Sequence, residues 1–319
     1  MVSTRARSAI VDASPIEPAA KRVKRSRPTE PTTSSNTKRS DAGEGERKAR
    51  TIVPKKTLPR WKSQEEPETV EALAERQAFV GKRYSPGDGQ LDYALTEPIP
   101  YRDPTTLEYV FPDFPAFKPN LSPQEILQKG AFDGGYFRPV KSMKSGRELH
   151  EDWSDLPLDA WIDGRDPSMY LTRPEGDFRD SVNRWKAFVG QPYSEWEKNG
   201  WIVEEHDARG WFQWYCRFWR GRRCEDDERQ VGRWVRVAGE ESGRWRRILL
   251  EKYRKQGVHF VEPLEETVSP GIRQTLHHWA FDPTTDALNR FREEKGELVA
   301  DEDADKLEDE DEAGRSDSE

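Results

Sequence analysis

Residues 209–223 read RGWFQWYCRFWRGRR, three Trp, two Phe and one Tyr set among five Arg. Trp211, Trp214, Tyr215, Phe218 and Trp219 fall at i, i+3, i+4, i+7 and i+8, one continuous apolar stripe on a 3.6-residue period. Aromatics that stack on nucleic-acid bases need exposure on a sheet or groove wall, whereas a stripe of this width is what a core helix buries. The spacing predicts a buried helix ending at Gly221, with the intervening arginines turned to solvent.

Two more helices follow in the same pattern. Four acids, Glu225 to Glu228, suit the start of a helix whose dipole is positive there, and Val231, Trp234, Val235 and Ala238 repeat the apolar spacing. Trp245, Ile248, Leu249 and Tyr253 carry it through a third helix, stopped by Gly257. A final helix is expected from Ser269-Pro270, bearing Leu276 and Trp279. Only Val258 to Val261 has a trace of strand character.

On the N-terminal side a helix is expected around Val70 to Phe79. Residues 101–120, YRDPTTLEYVFPDFPAFKPN, carry prolines too often for a regular element and are expected to drape aromatics over the domain. Ser122-Pro123-Gln124-Glu125 is a capping box with proline at the first helical position, closed by Gly130. Ser194 and Glu197 suggest a second box before Gly200, and Gly134-Gly135 a tight turn or a close backbone approach.

The chain as a whole is too polar to fold throughout: 33% of its 319 residues are apolar and 35% charged. Its Trp residues, twelve in all, concentrate between Trp153 and Trp279. The expected fold is therefore mainly α: a single aromatic-rich helical domain, residues 69–292. A disordered basic N-terminal tail (1–68) and a disordered acidic C-terminal tail (293–319) flank it. The net charge of −8 conceals this polarity, because residues 1–62 carry ten more basic than acidic side chains and residues 293–319 eleven more acidic than basic. Cys216 and Cys224 are the only cysteines and no apolar run is long enough for a bilayer, so a disulfide scaffold, a zinc ribbon and a membrane span are not expected.

Function is read from three places. Within the basic tail, PAAKRVK matches the Myc-type nuclear-import signal. Lys21, Arg22, Lys24 and Arg25 supply the cations that an importin groove takes from an extended segment, so nuclear localisation with importin as a partner is expected. A solvated tail that binds polyanions loosely is the alternative. Second, Arg229, Arg233 and Arg236 line the second helix opposite its apolar stripe, and Arg244, Arg246 and Arg247 open the third. Two helices joined by a short AGEESG connection suggest a helix-turn-helix presentation of arginine forks to DNA, RNA or chromatin. Against it stands pairing with the domain's own acids, since residues 63–292 carry seven more acids than bases.

Enzymatic signatures are lacking: there is no P-loop, GxGxxG, GxSxG or HExxH. His206 within EEHD reads as a surface turn in which Asp207 helps cap the next helix. No metal site or cofactor is expected. Cys224 sits beside Arg222 and Arg223, a setting that lowers a thiol pKa, but without a legible base. The reading is a nuclear non-enzymatic binding protein. A protein-interaction scaffold with a pocket near Gly134, Gly135 and Tyr136 is the alternative, and an enzyme without a legible motif is a third reading.

The motifs FDGGYFRP, YSEWEKNGW and GWFQWYCRFWRGRRCEDDERQVGRW resemble those of a recurrent group of uncharacterised fungal, algal and plant proteins, over roughly residues 120–282. The resemblance implies a defined folded domain and carries no mechanism.

Overall fold

Helix after helix follows from the periodicities above, and the computed structural model describes them over residues 69–176, 182–261 and 268–297. The import signal and the rest of residues 1–68, like residues 298–319, lie outside the described residues. The order is α1 (Val70–Gln77), β1 (Arg83–Tyr84), β2 (Tyr93–Ala94), β3 (Tyr101–Arg102), β4 (Tyr109–Val110), α2 (Pro123–Lys129), β5 (Val140–Lys141) and β6 (Glu148–Leu149). Then come α3 (Leu158–Trp161), α4 (Pro167–Tyr170), α5 (Tyr193–Lys198), α6 (Trp211–Trp219), α7 (Asp227–Ala238), α8 (Arg244–Lys255), α9 (Pro270–His278) and α10 (Thr285–Glu294). The fold is mainly helical, and its strands form three separate antiparallel pairs of two residues each.

Helix α6 lies at the centre, and residues 211 to 218 are buried on every side. Phe117, wholly buried, meets Trp214, Tyr215, Phe218 and Trp234 at ring-centroid distances of 5.6, 5.7, 5.6 and 5.1 Å. Edge-to-face and tilted arrangements of this kind add to the area they bury. Residues 101–120 thus do not drape over the domain: Phe111 and Phe117 are in its core, and the prolines leave room for one short pairing, Tyr101↔Val110 and Arg102↔Tyr109.

The capping box at α2 forms as read. Ser122 Oγ accepts from Glu125 N at 3.1 Å and Glu125 Oε2 accepts from Ser122 N at 2.7 Å. Gly130 ends the helix at φ +95°, and a Cβ there would lie 1.7 Å from the Val182 carbonyl oxygen. The second box does not form. Helix α5 opens after Pro192, which places Ser194 inside the first turn, and Glu197 instead accepts from Ser142 Oγ and from Met143 N at 3.0 Å. Val258 to Val261 forms no strand.

Helix α8 packs against α7, α9 and α10. The last of these was not foreseen. Thr284 caps it by accepting from Ala287 N at 3.1 Å, and Ala287, Leu288 and Phe291 bury its inner face. The domain boundary drawn at residue 292 therefore falls inside a helix.

Candidate interaction surface

Four of the five arginines of the opening stretch, Arg209, Arg217, Arg220 and Arg222, are buried, contrary to the expected outward strip. Arg209, Arg217 and Arg222 are at most 2% exposed. Arg209 grips Asp152 with two parallel bonds, Nε–Oδ2 at 2.7 Å and Nη2–Oδ1 at 2.8 Å, and donates Nη1 to the carbonyls of Tyr136 and Arg138. Arg217 takes Asp155 at 2.8 and 3.0 Å, Asp207 at 3.1 Å and Gln90 Oε1 at 2.7 Å. Arg222 donates to both oxygens of Asp207, at 2.6 and 3.0 Å.

A guanidinium can leave water only if its fork meets carboxylates and carbonyls with good geometry, and here it does. Burial pushes the Asp155 carboxyl upward, but the bonds from Arg217 outweigh it and hold it below the usual range. Asp207 is consequently no helix cap. Its carboxylate bridges Arg217 and Arg222, and the residue before α6 is Gly210, at φ +79°.

The six arginines proposed for nucleic acid are placed unequally. Arg229 donates Nη2 to Asp226 at 2.8 Å. Arg233 lies between two indoles, its guanidinium carbon 5.5 Å from the Trp201 ring centroid and 5.4 Å from that of Trp279. Burial first, then the neighbouring Arg229, pulls its pKa down to about 10. Arg246 is buried over Phe281 at 4.5 Å, with its nearest carboxylate, Glu240, at 4.0 Å. Arg247 clasps Glu294 through two bonds of 2.9 and 2.7 Å. Only Arg236 and Arg244 are exposed. With α8 packed against α7, α9 and α10 and Arg246 buried, Arg244 alone of its three leading arginines is exposed, short of the row that a helix-turn-helix reader presents.

The outer face of α7 carries a feature that the sequence reading passed over. Phe114, Pro115 and Ala116 form one wall of an open trough of about 490 Å³; Val231, Gly232 and Val235 form the other, and Asp113, Glu228 and Arg236 stand at its rim. The first wall is anchored from behind, since Phe114 meets Phe218 edge-on at 5.3 Å and Arg223 binds Asp113 through Nε–Oδ2 at 2.6 Å and Nη2–Oδ1 at 3.2 Å. Asp113 is thereby neutralised. Glu228 and Arg236 are exposed and make no ion pair among the described residues. A glycine in a helix interior, Gly232, was the signal that could have pointed here.

Other candidate groups serve the interior. Gly134 and Gly135 admit the chain's own backbone, a Cβ falling 1.8 Å from the Met169 carbonyl oxygen at one and 2.8 Å from that of Arg173 at the other. The Tyr136 hydroxyl donates to Arg209 O at 2.6 Å and accepts from Gln213 N at 3.1 Å. His278 Nε2 accepts from Phe132 N at 2.8 Å, so its ring is neutral, and burial pulls its pKa down to about 3. The arginines beside Cys224 do not activate it. Burial wins over Arg222 and pushes the thiol up to about 12, while Cys216 is raised well above its ordinary value by complete burial.

Among the described residues no cluster of three or more His, Cys, Asp or Glu is arranged to hold a metal ion, and no helix is long and apolar enough to cross a membrane. Comparison with models of protein families, with curated proteins and with solved structures returns no match.

Proposed function

We propose that this chain is a nuclear, non-enzymatic binding protein that docks a peptide segment of a protein partner in the trough beside α7. One observation carries the reading. The cations that would face a polyanion are largely spent on internal partners, while the trough presents apolar walls to solvent between two charges that make no ion pair among the described residues. Its openness suits a strand of peptide rather than an enclosed small molecule. Import through Lys21, Arg22, Lys24 and Arg25 rests on the PAAKRVK match alone. Replacing those four by Ala in the full chain fused to a fluorescent reporter is expected to shift the fusion to the cytoplasm.

A peptide-display selection against the full chain tests the docking. It is expected to enrich sequences whose binding is lost in Val235→Glu, a variant checked for its native helical signal by circular dichroism. Enriched peptides that bind Val235→Glu as well as the parent would refute the trough as the docking site.

Nucleic acid or chromatin is the second reading, favoured by the exposed Arg236 and Arg244 and by the basic excess of residues 1–62. Its signature is affinity for duplex DNA or RNA that falls steeply with salt and weakens when the six arginines are replaced by Gln. The acidic balance of residues 63–292 argues against it.

A further inference from the structure

Resting on the trough as a docking surface, we propose that its ligand is a five-residue extended segment with charge order basic–any–apolar–any–acidic. The basic side chain sits beside Glu228, the apolar one over Gly232 and the acidic one beside Arg236.

The register follows from two repeats that match. Glu228, Gly232 and Arg236 are successive i, i+4, i+8 positions of α7. At 1.5 Å per residue they are about 6 Å apart, about 12 Å end to end. An extended peptide turns alternate side chains to one face at about 6.6 Å intervals, so positions one, three and five fall over those three residues. Charge complementarity fixes what the outer two must be. Asp113 is already held by Arg223, which leaves Glu228 and Arg236 as the rim charges without an ion pair among the described residues.

Gly232 supplies the space between them. A Cβ there would meet only the end of Arg236, with Nη1 at 3.6 Å, an ordinary contact with a flexible side chain. Among the described residues nothing requires glycine at this position, and glycine is the poorest helix former short of proline. Close approach by an apolar side chain, flanked by Val231, Val235, Phe114 and Pro115, accounts for it.

The test uses the full chain and three capped peptides with a central fluorophenylalanine, read by ligand-observed fluorine NMR: Lys-Ala-Phe-Ala-Asp, Lys-Ala-Phe-Ala-Lys and Asp-Ala-Phe-Ala-Asp. The first is expected to bind about fivefold more tightly than either like-charge peptide, the scale of one exposed ion pair. Glu228→Arg should turn the preference to the doubly acidic peptide, and Arg236→Glu to the doubly basic one. Gly232→Ala should raise the melting temperature while weakening the first peptide, a combination that misfolding cannot mimic. Equal binding of all three peptides, abolished by Val235→Glu, would overturn the charge order and leave the docking surface standing. Absence of binding by any of them would overturn both. Concentration-dependent dimerisation that Gly232→Leu reverses would assign the trough to a second copy of the chain and overturn the peptide.

Discussion

The arginines around α6 and those on α7 and α8 are alike in composition and opposite in situation. Arg209, Arg217 and Arg222 are sealed among Asp152, Asp155 and Asp207, and the carboxylate and carbonyl partners of Arg209, like Asp155 and the Asp152 carbonyl on Arg217, lie more than fifty residues away in the chain. On α7 and α8, Arg229 and Arg254 find acids three residues away and Arg247 clasps Glu294 near the surface. A guanidinium with distant, buried partners ties together segments that sequence keeps apart. One with close or exposed partners trims the surface and does little else.

The largest test of that contrast is Arg217→Met, which leaves the buried Asp155 without its cation and Asp207 with Arg222 alone. We expect it to cost about 3–5 kcal/mol in urea denaturation of the full chain, and replacing Asp155 by Asn as well to recover part of the loss. A loss below about 1 kcal/mol would put Arg217 in the same class as the surface set.

Acid provides the next test. In the folded state His278 has its pKa pulled down from 6.5 to about 3, so the unfolded chain binds the extra proton between those values. Its contribution is complete above pH 6.5 and is lost as the pH falls toward 3, at up to about 1.4 kcal/mol per pH unit. His277 is lowered in the same direction, chiefly by burial. The depressed Asp155 adds a loss of the same sign, which begins only near the ordinary carboxylate value of 3.8. Stability should therefore begin to decline near pH 6.5 and fall faster below 4. A shallower slope from pH 7 to 5 in His278→Gln than in the parent, with His277 left to titrate, separates the histidine from the arginine–aspartate network.

The smallest effect belongs to the surface set. A double-mutant cycle on Arg247 and Glu294, with Gln at both, is expected to give a coupling of about 0.2–1 kcal/mol that shrinks in high salt. A coupling as large as that of Arg217 with Asp155 would erase the distinction between the two regions.

Helices α6, α7, α8 and α9 were legible because apolar spacing, acids at a helix start and glycines after the last turn are local signals. Helix α10 carried such a signal too, with Thr284 three residues before Ala287, but its apolar face is short and is followed in the sequence by a charged run. The trough was not legible: Val231 and Val235 fit the same stripe as Trp234, and nothing local says that Val235 is only half-buried while Phe114 arrives from more than a hundred residues upstream. Most of the expected cationic strip failed for the complementary reason, since periodicity gives a side chain's direction on its helix and says nothing about what waits there.

What the amino-acid sequence determined by itself is the set of helices and which of their faces are apolar, because hydrogen bonds four residues apart and a 3.6-residue repeat are local physics. Which charges stay in solvent was decided only by tertiary structure. Whether an arginine is a free cation or half of a buried pair depends on where a distant aspartate is carried by the fold, and desolvation makes that the larger energy.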